Sequence, residues 1–109
     1  MIAIAFTRLA VADVQRARAV IIETHPDGPA AGERLADDVA ARLARAIEGL
    51  GQFPRIGHPG AVPGVLEIVV PGPTRRLTFT IGYRLRDERI TIVGITWGRR
   101  TFGTLGRPG

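Results

Sequence analysis

Apolar residues recur along this chain with two different periods, and the change falls near its midpoint. Between Val11 and Leu50 they return every three or four positions, whereas between Val65 and Trp97 they return every two. The first spacing lines one side of a helix and the second lines one side of a strand. Ahead of both, Ile2 to Phe6 is short and β-prone and reads as a first strand. Thr7 is then placed to cap a helix running to Thr24, with Val11, Val14, Ala17 and Ile21 as its apolar stripe. Asp13, Arg16 and Glu23 fall off that stripe. "HPDGPAAG" ends this helix, and Pro29 suits the first turn of the next. Leu35, Val39, Leu43, Ile47 and Leu50 mark the second helix over about four turns, with Asp38 and Arg42 spaced as an ion pair. Gly49, Gly51 and Pro54 stop it.

The segment "GLGQFPRIGHPGAVPGVLEIVV" follows, a joint crowded with Gly and Pro. Beyond it, Val65 to Val70 reads as a strand and "PGPT" as a turn. The next strand alternates cleanly from Arg76 to Leu85. Leu77, Phe79, Ile81, Tyr83 and Leu85 lie on one side, with Arg76, Thr78, Thr80, Gly82 and Arg84 on the other. "RDER" is a tight hairpin turn, and Ile90 to Trp97 is the last strand. One strand, a helical hairpin and a three-stranded antiparallel meander (β-α-α-β-β-β) make an α+β domain over residues 1–100. Helices should pack on one face of the sheet and leave Thr and Arg on the other. The Gly-rich residues 101–109 read as a flexible tail.

Charge sharpens this division. All 15 basic residues are arginine, so lysine chemistry is excluded and every cation is a planar fork suited to phosphate or carboxylate. Residues 8–53 hold six Arg against seven acids, a net of −1; residues 54–109 hold nine Arg against three acids, a net of +6. Such asymmetry points to an anionic partner meeting the C-terminal half. Arg75, Arg76, Arg84, Arg86, Arg99 and Arg100 cluster on the last two strands and are the candidate target- or phosphate-contacting residues. The chain has no cysteine, no run long enough to span a membrane, and an N-terminus interrupted by Arg8 that does not read as a signal peptide. The expectation is a cytoplasmic protein.

Catalytic signatures are sparse. The sequence contains no phosphate-binding glycine loop, no nucleophile elbow and no His or Cys cluster for a metal, and no cofactor is implied. His25, before Pro26, reads as a capping or solvent residue. His58 is either a general acid–base or phosphate-contacting residue or, more simply, a polar turn residue between Gly57 and Pro59. Glu67 reads as a base, as a partner to an arginine, or as an outward residue of an edge strand. Tyr83 points with the apolar set, and Trp97 is a core or partner-binding anchor. His58, Glu67, Arg84 and Tyr83 are therefore the weak catalytic candidates.

The run "LARAIEGLGQFPRIGHPGAVPGVLEIVVPGP", continued by "IGYRL" and "ITIVGITWGRR", resembles the RelE/ParE superfamily of bacterial type II toxins, and its ParE-type branch in particular. The resemblance covers about residues 2–100. It implies that Phe53-Pro54 closes the helical hairpin and wedges it onto the sheet, with His58 where the family often has arginine. Leu66 stands where arginine often precedes the glutamate matching Glu67, and Trp97 where histidine often ends the last strand. RelE-type members cleave mRNA in the ribosome without a metal. That chemistry needs a base, an acid and charge stabilisation. Here Arg75, Arg76, Arg84 and Arg99 supply the last, but no acid–base pair is evident. ParE-type members instead poison DNA gyrase, a binding role.

The resemblance thus implies a toxin of a plasmid-stabilisation module acting on gyrase, with a ribosome-dependent mRNA endonuclease or a non-toxic binding module as alternatives. It also implies a cognate antitoxin, acidic and partly disordered until bound, for which Trp97, Leu35 and Val39 are contact candidates. A homodimer or a toxin–antitoxin hetero-oligomer both remain open.

Overall fold

The computed structural model describes residues 2–74 and 77–98. The expected tail at 101–109 and the arginines at 75, 76, 99 and 100 lie outside the described residues. Seven elements follow in order: β1 (Ala3–Phe6), α1 (Arg8–Thr24), α2 (Pro29–Gln52), β2 (His58–Pro59), β3 (Leu66–Pro71), β4 (Thr78–Arg86) and β5 (Arg89–Trp97). The strands form one sheet in the order β1-β5-β4-β3-β2. The meander β3-β4-β5 is antiparallel, while β1 runs parallel to β5 with Ala3 opposite Arg89 and Phe6 opposite Ile92. The α+β architecture expected from the sequence is present. To it the structure adds β2, a two-residue strand inside the segment read as pure loop.

Thr7 caps α1 as its position predicts: its Oγ1 accepts from the Ala10 N–H at 3.1 Å. The same hydroxyl donates to the Val93 carbonyl at 3.1 Å. That contact has a topological reason. β1 covers the edge of β5 only as far as Ile92, and a bulge follows, with Gly82 opposite Gly94 but Tyr83 opposite Ile92. Val93 is the extra residue, and its freed carbonyl is taken by Thr7. Two residues on, the Ile95 N–H donates to Asp13 Oδ2 at 2.9 Å. Side chains of α1 thus stand in for the missing stretch of neighbouring strand, which explains a correction to the helix stripe. Ala10, Asp13, Ala17 and Ile21 are buried, whereas Val11 is 45% exposed. The backbone donor of β5 draws a carboxylate inward and rotates the helix away from its purely apolar register.

The two helices lie close. A Cβ on Gly32 would come within 2.7 Å of the Ile22 Cα, so only glycine allows this approach. On α2, Val39, Leu43 and Leu50 enter the core as expected, while Leu35 and Ile47 are half-buried. Arg42 pairs with Asp38 at 3.2 Å. Against these helices β4 presents Phe79, Ile81 and Tyr83, and β5 presents Ile90, Ile92 and Ile95. The bulge shifts the β5 alternation by one residue, which puts Ile95 rather than Gly94 on the core side.

The stiff joint is secured by Tyr83. Its hydroxyl donates to the Pro54 carbonyl at 2.8 Å and accepts the Gly57 N–H at 2.9 Å. A Cβ on Gly57 would lie 2.6 Å from that oxygen, so the glycine is sterically required. Phe53, expected as a wedge, instead has its side chain 63% exposed. Its backbone ends α2 through a bond to the Gly49 carbonyl at 2.9 Å. The joint is held by a buried hydroxyl and two backbone groups, so it needs no aromatic plug.

Candidate functional site

One row of residues crosses the sheet on the side away from the helices. His58 lies opposite Glu67, Glu67 opposite Gly82, and Gly82 opposite Gly94. Strand register places His58 and Glu67 side by side, because directly paired residues share a face. Glu67 was open to being an edge residue; instead β2 flanks it and it is only 8% exposed. Gly60 closes over it, leaving no room for a side chain there: an added Cβ would lie 2.5 Å from Oε2. Glu67 Oε2 has no hydrogen-bond partner among the described residues. A buried acceptor left in this state is costly unless something reaches it. His58 is exposed and belongs to β2 rather than to a turn. His25 is the C-cap of α1, its Nδ1 accepting the Asp27 N–H at 3.1 Å.

Arg84 sits two residues beyond Gly82 on the same face. Its guanidinium donates to the Pro63 carbonyl at 3.4 Å and is otherwise free among the described residues. Tyr83 points the other way, wholly buried, with its hydroxyl committed to the joint. The structure therefore brings His58, Glu67 and Arg84 onto one face and removes Tyr83 from it.

Further along this face, Arg84, Arg86, Asp87, Arg89 and Thr91 line a cleft of about 580 Å³. Arg84 lies opposite Thr91, and Arg86 opposite Arg89. Arg89 and Thr91 had escaped the reading of the sequence, although a two-residue turn at Asp87-Glu88 dictates both pairings. All ten acidic residues of the chain are described, and among the described residues three ion pairs form, using Asp13, Asp37 and Asp38, all on the helices. Among those residues the arginines of the cleft have no salt-bridge partner.

A second groove, of about 530 Å³, runs between the end of α2 and the outer edge of β3. Phe53, Ile56 and Val69 line it and are 63%, 68% and 55% exposed. Only residues 66 and 67 of β3 are paired by β2, so the edge from Ile68 to Pro71 carries no strand among the described residues. The residues singled out as antitoxin contacts lie elsewhere. Val39 is 3% exposed and belongs to the core, which withdraws it as a contact. Leu35 and Trp97 are half-buried and pack against that core.

The order of elements, the mixed sheet and the helical hairpin have counterparts among solved structures. A chain of the chromosomal ParDE TA system from P. aeruginosa superposes with a TM-score of 0.68 at 22% identity, covering 91% of this chain and 98% of that one. This protein has the RelE/ParE toxin fold. A chain of the intact E. coli RelBE toxin-antitoxin complex superposes at a TM-score of 0.57 and 12% identity, covering 92% of this chain and 100% of that one. Of these two toxin-fold structures, the ParDE chain is the nearer. No protein-family model matches the chain, and no curated protein matches it at a significant level. Among the described residues, no helix is long and apolar enough to cross a membrane.

Proposed function

We propose that this protein is the toxin of a two-component toxin–antitoxin module and that it arrests growth by binding DNA gyrase. The observation that carries this reading is the match to a chain of the ParDE system over 91% of this chain. Two features of the site support binding over catalysis. Tyr83 is locked into the joint, and Glu67 is covered by Gly60, so neither presents an open acid or base. Arg84, Arg86 and Arg89 on the open face, by contrast, form no ion pair among the described residues and are suited to an anionic surface. The antitoxin would lie along the groove beside Phe53, Ile56 and Val69, where apolar surface and an unpaired strand edge coincide.

Induced expression is the test. Growth arrest accompanied by gyrase-dependent DNA breaks, and relieved by co-expression of an adjacent antitoxin, is expected. Arrest with cut transcripts and intact DNA would overturn the gyrase reading. It would favour a ribosome-dependent mRNA endonuclease, for which the side-by-side placement of His58 and Glu67, on the same face as Arg84, is the supporting observation.

A further inference from the structure

We propose that the cleft at the end of the β4–β5 hairpin is a phosphate-binding site, built by Arg84, Arg86, Arg89 and Thr91 for the backbone of a nucleic acid. The inference rests on the toxin reading only in placing this site on the face that meets the target. Its physical argument is separate.

Arg86 and Arg89 are directly opposed across the strand pair, immediately before and after the turn. Like charges in that arrangement repel and destabilise a hairpin. Asp87 lines the cleft, yet among the described residues neither it nor Glu88 forms an ion pair, and both hold left-handed backbone angles, φ of 49° and 60°, in the turn. A bound anion between the two guanidinium groups would remove the repulsion. The hydroxyl-bearing Thr91 and the guanidinium of Arg84 close the other end of the cleft, again as a directly opposed pair.

Arg84 is also braced. Its Nη1 lies over Gly64, where a Cβ would come within 2.8 Å, and it donates to the Pro63 carbonyl. Gly64 holds a φ of 79°, a conformation that glycine adopts without strain. One fork thus rests against the Pro63–Gly64 backbone, and two lie opposite each other across the hairpin. The guanidinium fork matches phosphate as it matches carboxylate, and three forks lining one cleft supply donors for several phosphate oxygens.

The test uses the full-length protein and two probes. Thermal denaturation is followed in sodium phosphate and in sodium chloride at matched ionic strength. Binding of short fluorescein-labelled DNA and RNA oligonucleotides is followed by anisotropy over a range of salt. Phosphate should raise the melting temperature above the chloride control, and R86A/R89A should abolish the difference. Oligonucleotide binding should weaken roughly 10–100-fold in that variant, as expected for losing charge-assisted hydrogen bonds. Its salt dependence should become shallower by about one unit of slope per arginine removed. R86K/R89K should keep the steep salt dependence while losing part of the affinity, because the charge remains and the fork does not. D87N should tighten binding.

Both probes responding assigns the nucleic-acid backbone; a phosphate response without oligonucleotide binding assigns a small phosphorylated ligand to the same site. Equal affinity in wild type and R86A/R89A, or no response to either probe, overturns the proposal. Expression of R86A/R89A in cells separates the two readings. Arrest that persists after phosphate binding is lost detaches the site from toxicity. A non-toxic wild type that still binds phosphate removes the toxin reading and leaves the site standing.

Discussion

Tyr83 and Arg84 are adjacent in β4, yet the first is wholly buried and the second exposed. Phe79 and Ile81 are buried like Tyr83, and Arg86 is exposed like Arg84. On the helix-covered side, polar groups complete the fold: the Tyr83 hydroxyl ties the joint, and the Asp13 carboxylate, reaching in from α1, satisfies a donor of β5. On the open side, polar groups are left over. Among the described residues, Glu67 has an oxygen without a partner, and Arg86 and Arg89 face each other with no ion pair. A polar residue that closes the structure finds its complement within the chain. One that awaits a ligand does not, and it costs stability until the ligand arrives. Stability and recognition are therefore carried by opposite sides of one sheet.

The contrast makes graded predictions for thermal or denaturant unfolding. Leu43→Ala, on the covered side, should cost about 2–5 kcal/mol, because a buried side chain leaves a cavity between α2 and the sheet. A loss well below that range would mean α2 is not packed as described. Asp13→Ala should cost about 1–3 kcal/mol by stranding the Ile95 N–H. Asp13→Asn keeps an acceptor and should recover most of that loss. Tyr83→Phe should cost about 1–3 kcal/mol and loosen the joint, read as faster amide exchange at Gly57. Phe53→Ala should change stability by less than about 0.5 kcal/mol, since its side chain is surface. A larger loss would restore the wedge. Arg89→Thr should leave stability unchanged or raise it by about 0.2–1 kcal/mol, because it ends a like-charge pair. Clear destabilisation by Arg89→Thr would show that the open side also supports the fold.

Much of the architecture was legible in the residues. The period of the apolar positions marked both helices and the three long strands to within two residues of their ends, and Thr7 and Pro29 marked the helix starts. Strong local signals suffice where an element's identity depends on its own pattern. The stripe on α1 was misread at Asp13 because its burial depends on a backbone donor 82 residues away. β2 was missed because two residues have no periodicity; they become a strand only beside Glu67 and Leu66. The wedge at Phe53, which the family resemblance implied, fails because the hydroxyl of Tyr83 occupies the joint.

At the candidate site the split is similar. The surplus of arginine in the second half, the side of β4 on which Arg84 falls, and the opposition of Arg86 and Arg89 across the tight turn follow from composition, alternation and turn length alone. Strand pairing had to supply the rest: the row from His58 to Gly94 and the covering of Glu67 by Gly60. Short-range order is written in which residues are neighbours in the chain. Charge compensation, satisfaction of buried groups and the shape of a cleft are sums over residues that meet only when the sheet has formed, so they belong to the folded molecule.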